Sequence, residues 1–224
     1  HYRPAMPDDP DTAHASICGF CWFDRAAPAD ADTDAAIRCF LEAGSPPIIF
    51  TLGTSVVHHG RDFYDLAAAA CHRIGKRALL LVGSSEAGRR PWPDGVLAVP
   101  YAPFSKVLPR GRCTVHHGGI GTTAQAMRAG TPSLIIPFAN DEFDNAARVK
   151  RLGVGATLAR SRLTERSLAA ALESVLNDRP MAAAAQIIGR KLVSEDGAEA
   201  AAEAMTMVAA RGLVESLRRS SSVV

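Results

Sequence analysis

The sequence predicts an α/β fold: a doubly wound parallel sheet with helices on both faces and a helical C-terminus. Three observations carry this expectation. Short, uninterrupted apolar runs recur along the chain, as strands covered on both faces require. Amphipathic stretches of helical period separate them. Glycine closes the first two strong runs, at Gly53 and Gly83, where strand gives way to loop.

The elements follow in order. Ile17 to Phe23 reads as a short edge strand, and Asp34 to Ala43 as a helix stopped by Gly44 and Pro46-Pro47. Ile48 to Leu52 is the first strong strand, Asp62 to Ile74 an amphipathic helix, and Ala78 to Val82 the second strong strand. Val96 to Val99, Cys113 to Val115, Ser133 to Ile136 and Ala156 to Leu158 continue the series, with helices at Thr122 to Ala129 and Asp141 to Leu152. From Thr164 the pattern turns helical. Thr164 is the expected N-cap, Leu163 and Leu168 a hydrophobic staple, and Leu168, Leu172, Val175 and Leu176 one apolar stripe. Met181 to Val193 and Ala198 to Ala210 are the last two helices, their alanines interspersed with long apolar residues as in close helix packing.

Composition narrows the class. With 224 residues, 47% of them hydrophobic, the chain can bury the core of one large domain or one and a half. Residues 1–15, rich in Pro, Asp and Ala and beginning with His1, read as a linker cut from something longer; residues 16–212 are the expected folded domain and 213–224 a tail. Twenty-five basic against 23 acidic residues give a net charge of +2. The basic residues are scattered apart from pairs such as Arg89-Arg90 and Arg218-Arg219, so nucleic-acid binding has no electrostatic footprint. Five cysteines, Cys18, Cys21, Cys39, Cys71 and Cys113, are expected as reduced thiols of a cytoplasmic protein. Cys18-x-x-Cys21 has no second pair at zinc spacing, so no metal is expected there. No run of 18 apolar residues suggests a transmembrane segment.

Chemistry concentrates where the apolar runs end. Doubly wound sheets bind ligands at the carboxyl ends of their strands. The richest such junction is Val115-His116-His117-Gly118-Gly119-Ile120-Gly121-Thr122-Thr123-Ala124, between a strand run and a helix. Its glycines let a ligand approach bare backbone, and the amides and dipole of the following helix face anions. A loop that only turned the chain would need one glycine and gain nothing from adjacent imidazoles. Three further loops join it. Gly53-Thr54-Ser55 offers two hydroxyls, or is a plain strand-end turn. Tyr101-Ala102-Pro103-Phe104 presents a ring suited to stacking on a base, or a packed tyrosine. Asp141-Glu142, with Asn145-Ala146, places carboxylates at a helix start, where they either complement the dipole or accept hydrogen bonds from sugar hydroxyls. Together the loops outline a site for a sugar nucleotide.

On these residues the sequence resembles the C-terminal, donor-binding half of a GT-B glycosyltransferase of the UDP-glycosyltransferase superfamily. The resemblance runs from about Gly19 to Gly212 and rests on Tyr101 to Ser105, Leu108-Pro109-Arg110, His116 to Thr122, Gly130-Thr131-Pro132, Pro137, Asp141-Glu142 and Asn145-Ala146. Bacterial members acting on lipids, sterols or natural products, rhamnosyltransferases among them, look most similar. The resemblance implies a Rossmann-like half of the GT-B fold and a UDP- or dTDP-sugar as donor substrate, with no cofactor. It implies that His116, with His117, Gly118, Gly119 and the amides around Gly121 and Thr122, binds the diphosphate. Tyr101 and Ala102 would face the base, Thr54 and Ser55 would border the donor, and Asp141 and Glu142 would hold the transferred sugar. The acceptor, a small molecule or lipid, and the catalytic base would belong to an N-terminal domain. No catalytic residue is therefore expected in this chain, which alone would be inactive; transfer would be inverting and metal-independent.

Three departures stand out: Tyr101 replaces the family's usual tryptophan, Glu142 its frequent glutamine, and Ala124 lies where plant members carry a ribose-binding glutamate. The last leaves a deoxyribose donor open beside UDP-sugars.

Two alternatives remain. The chain would also fit a non-catalytic nucleotide-sugar-binding subunit of a two-chain transferase. Gly119-x-Gly121-x-x-Ala124, with Asp141 twenty positions after Gly121, also satisfies an NAD(P) fingerprint, although at least two βα units precede it and Asp141 follows Pro137 instead of ending a strand.

Overall fold

The computed structural model describes residues 17–24, 31–53, 61–83 and 91–221. They form two compact units, Asp24–Val193 and the pairing of residues 17–23 with 194–221.

The larger unit is built on six strands: β1 (Ile48–Thr51), β2 (Ala78–Leu81), β3 (Val96–Val99), β4 (Cys113–His116), β5 (Ser133–Ile135) and β6 (Gly155–Thr157). All pairings are parallel, in the order β3-β2-β1-β4-β5-β6. Each of these strands was legible as an apolar run, since parallel strands buried on both faces need no polar alternation. The chain works outward from β1 to β3, then returns to place β4 on the other side of β1. The carboxyl ends of β1 and β4 therefore flank a topological switch point, the crevice where such sheets bind ligands. Thr51 pairs with His116 in register, which sets Gly53 beside the glycine-rich junction.

Helices cover both faces. Alternate residues divide the strands: Ile48, Phe50, Leu80, Val115 and Leu134 join one core with Phe63, Tyr64 and Ala67 of α2 (Arg61–Arg73) and Leu168 and Leu172 of a later helix. Ile49, Leu79, Leu81 and Val99 turn the other way, onto Ile37 and Leu41 of α1 (Ala31–Glu42), Val107 of the short α3 (Phe104–Val107) and Ala126 of α4 (Ile120–Arg128). The buried Tyr64 hydroxyl donates to Leu81 O at 2.6 Å and accepts from Leu52 N at 3.3 Å, tying β1 to β2. Burial pushes this phenol well above its ordinary pKa, and raises the Cys71 and Cys113 thiols to about 12, so both sulfurs are inert packing groups.

After α5 (Glu142–Arg151) and β6, helix α6 (Glu165–Asn177) starts at the expected N-cap. Thr164 Oγ1 accepts from Ser167 N at 3.1 Å, Ser167 Oγ reciprocates on Thr164 N, and Leu168 is fully buried. Helix α7 (Arg179–Val193) completes this unit.

The second unit corrects the expected edge strand. Residues 17–24 form neither strand nor helix. Phe20 N donates to Glu195 Oε1 at 2.9 Å, Trp22 Nε1 to Glu195 O, and Gly197 N to Phe20 O at 3.1 Å, so these groups bond to the residues that lead into α8 (Gly197–Ser221) and not to a neighbouring strand. Helix α8 continues well past the predicted stop at Ala210, through most of the expected tail. Among the described residues no helix is long and apolar enough to cross a membrane.

Candidate functional site

The site is assembled at the carboxyl ends of β1, β4 and β5. Strand β4 alternates, sending Cys113 and Val115 into the first core and Thr114 and His116 to the opposite face. His116 is consequently sealed, with 0% exposure. Its Nδ1 accepts from Gly118 N at 3.2 Å, and its Nε2 has no partner among the described residues. Burial, reinforced by the neighbouring His117, lowers its pKa to about 3, so the ring is neutral.

His117 leaves the strand on the other side. Its ring lies between two glycines: a Cβ on Gly53 would stand 2.5 Å from Cε1, and one on Gly119 would stand 2.4 Å from Nε2. Bare backbone at both positions is what admits the imidazole. His117 Nε2 is 3.9 Å from Glu142 Oε1, while Nδ1 is buried without a partner among the described residues. Burial lowers the pKa of His117, against the opposing pull of Glu142 and Asp141.

Gly118 is required twice over. Its φ is +105°, and an added Cβ would meet Ile135 Cγ2 at 2.9 Å and Glu142 O at 3.0 Å. Its carbonyl accepts from Asn145 Nδ2 at 2.9 Å, and the same amide bonds Asp141 Oδ2 at 2.9 Å. Gly119 then caps α4 with no side-chain hydrogen bond, and the first helical bond runs from Thr123 N to Gly119 O. The N-H groups of Ile120, Gly121 and Thr122 thus precede the helical ladder. Gly121 is exposed, with nothing within 4 Å of where a Cβ would be, while Thr122 is buried. An uncapped helix start opening on free space can receive an anion.

The acidic pair divides its work. Glu142 is 5% exposed, and its Oε2 accepts from Phe138 N at 2.6 Å and Ala139 N at 2.9 Å, latching the loop after β5. Asp141 is exposed at the start of α5. Tyr101 is half-buried at the end of β3, and Ala102 is wholly buried. Thr54 and Ser55 lie outside the described residues.

Asn145 gains a more definite role than its place in the sequence suggested, and Asp24 gains one that the sequence had not singled out. Asn145 bridges the glycine turn to Asp141, a link announced by their i, i+4 spacing on one helical face. Asp24 accepts from Phe104 N at 3.0 Å and Ser105 N at 2.7 Å, capping α3 behind Tyr101 across eighty positions of chain, for which no local signal exists. Ile120 and Phe143, 45% and 57% exposed, stand in the first turns of α4 and α5 at this end of the sheet. A separate cavity of about 440 Å³, lined by Arg112, Thr131, Val175 and Arg190 among others, lies at the amino ends of the strands and contains none of the candidate residues.

Comparison with known proteins identifies the family. Residues 79–207 match the family model described as erythromycin biosynthesis protein CIII-like, C-terminal domain. The chain is 39% identical over 162 residues to O-mycaminosyltylonolide 6-deoxyallosyltransferase of Streptomyces fradiae, covering 71% of this chain and 37% of that protein. It is similar in structure to the calicheamicin glycosyltransferase CalG4, with a TM-score of 0.65, 28% identity, and coverage of 72% of this chain and 42% of the other. For glycosyltransferase VinC, solved in complex with dTDP, the values are 0.64, 30%, 77% and 44%. The chain thus spans less than half the length of these relatives. A six-stranded parallel sheet with its glycine-rich junction at the switch point, together with the matched family model, makes this chain a member of the erythromycin biosynthesis protein CIII-like C-terminal domain family, the donor-binding domain family of GT-B glycosyltransferases.

Proposed function

We propose that this chain binds the nucleotide-sugar donor of an inverting, metal-independent glycosyltransferase that moves a hexose from a UDP- or dTDP-sugar to a hydroxyl of a small molecule or lipid. The observation that carries the reading is the uncapped start of α4, beside His117 at the β1/β4 switch point. The acceptor and the general base come from an N-terminal domain, in keeping with the relatives' greater length.

In the reaction, the acceptor oxygen attacks the anomeric carbon as the bond to the diphosphate oxygen breaks, and configuration inverts. The base takes the hydroxyl proton, and the nucleoside diphosphate leaves with the electron pair. The amides of Ile120, Gly121 and Thr122 and the helix dipole stabilise the charge growing on the diphosphate, so no metal is needed for that task. His117 supplies the imidazole contact, since the ring of His116 is sealed and its Nδ1 already engaged. Exposed Asp141 accepts from sugar hydroxyls, and Glu142 acts mainly by holding the loop on which Asp141 sits. Tyr101 lies against the base. Ile120 and Phe143 offer apolar surface to the acceptor-binding half.

Calorimetric titration with UDP and dTDP tests the reading. At least one should bind. Gly121→Asp places a carboxylate into open space, where it favours the helix dipole but repels a diphosphate. It should weaken binding at least about tenfold while leaving the melting temperature unchanged or higher. Unchanged affinity would exclude α4 as the receptor, and binding of nicotinamide dinucleotides in place of both nucleotides would defeat the whole assignment.

A further inference from the structure

Two adjacent histidines close β4, and only one has a place in the reaction proposed above. Among the described residues His116 makes one side-chain hydrogen bond, and it is local and directional: Gly118 N-H donates to its Nδ1 at 3.2 Å. The donor belongs to the residue whose φ of +105° turns the chain out of the sheet and into α4. Gly118 is held from its other side too, where its carbonyl accepts from Asn145 Nδ2 at 2.9 Å. Its two neighbouring peptide groups are thus fixed by one side chain from β4 and one from α5, and the amides that open α4 follow directly.

We infer that His116 is a positioning residue for donor binding, a neutral imidazole protonated on Nε2 whose bare Nδ1 clamps the Gly118 amide and so aims the first-turn amides of α4. The tautomer follows from the bond: a nitrogen accepting from a backbone N-H carries no proton, and the neutral ring must bear its proton on the other nitrogen. An imidazolium would set N-H against N-H and release the turn. The sealed setting opposes this, as burial holds the ring's pKa near 3. The inference rests on reading α4 as the diphosphate receptor, and it explains why a polar ring occupies a position with no exposure.

The test uses three variants of this chain and two measurements. In His116→Asn a side-chain oxygen can replace Nδ1 as acceptor; in His116→Gln the polar group is displaced by a methylene; in His116→Phe the volume stays but the acceptor is gone. Affinity for UDP or dTDP, whichever the native chain binds, should fall by less than about threefold in His116→Asn and by about tenfold in His116→Gln and His116→Phe. Amide exchange at Gly118 should quicken in the last two only, while their thermal midpoints stay close to that of His116→Asn. Nitrogen-15 spectra of the free protein should show a neutral, Nε2-protonated ring from pH 8 to about pH 5. Equal affinities in native and His116→Phe chains would overturn the clamp, as would an Nδ1-protonated or charged ring. If the native chain bound neither nucleotide, the donor-site reading would fail, while the tautomer and the Gly118 exchange rate would still decide whether the clamp exists.

Discussion

His116 and His117 are neighbours in sequence yet meet opposite environments, because the pleat of β4 sends successive side chains to different sides. Burial lowers the pKa of both rings, and this has a consequence for stability. A histidine whose folded pKa lies below its unfolded value of about 6.5 takes up a proton more readily when unfolded, so stability falls as pH drops from about 6.5 toward about 3. For His116 this amounts to about 2 kcal/mol between pH 7 and pH 5. Urea unfolding at the two pH values should show a loss of at least this size, because His117 shifts in the same direction. Much of the His116 share should vanish in His116→Phe. Gly118 yields a second expectation at this scale. Gly118→Ala must carry a Cβ at φ +105° against Ile135 and the Glu142 carbonyl, so it should destabilise by about 1–3 kcal/mol and lose nucleotide binding in calorimetry.

Among the elements, α4, α5 and α6 differ in how their starts are satisfied. Helix α6 closes its own N-terminus through Thr164 and Ser167, packs Leu168 and Leu172 into the core, and serves as scaffold. Thr164→Ala should cost about 1 kcal/mol in urea unfolding and leave nucleotide affinity unchanged. Helix α5 uses its first turn for its neighbours, with Glu142 latching the loop after β5 and Asn145 tying down the glycine turn. Asn145→Ala strips a buried carbonyl of its donor, at a cost of about 1–3 kcal/mol, and should weaken binding as well. Helix α4, like α5, begins without a side-chain cap, and in the proposed function its free first-turn amides receive the diphosphate. The N-cap of α6 was legible because Thr164 stands between Leu163 and Leu168 just before the apolar stripe, as was the glycine-rich entry to α4; the reciprocal bond from Ser167 was found in the structure. The expected edge strand at Ile17 to Phe23 failed because its apolar pattern said nothing of Glu195, which takes its hydrogen bonds from far along the chain.

At the scale of the whole molecule, function depends on a crossover. Strand order β3-β2-β1-β4-β5-β6 brings Gly53 from one end of the described sheet sequence against His117 from its middle. Since a nucleotide at this crevice binds only the folded sheet, saturation at a hundred times Kd should stabilise the protein by about 2.7 kcal/mol, seen as a rise in melting temperature. Phe143→Ser, on the exposed first turn of α5, should leave stability within about 0.5 kcal/mol and nucleotide affinity unchanged. It should lower turnover only when the acceptor-binding half is present, as assays of a full-length transferase carrying this domain would reveal.

The sequence by itself determined the class of fold, the six strands and the junction most fit for an anion. Those depend on local quantities: apolar runs, helical period, glycine placement and the amides that any helix start exposes. Only the tertiary structure decided which imidazole is clamped and which faces Glu142, that Asn145 braces the turn, and that Asp24 caps the helix behind Tyr101. The His116 bond is local but depends on the direction in which β4 sends its side chains, and the others join residues far apart in the chain through strand register. A hydrogen bond across the fold leaves no mark on the local pattern of either partner.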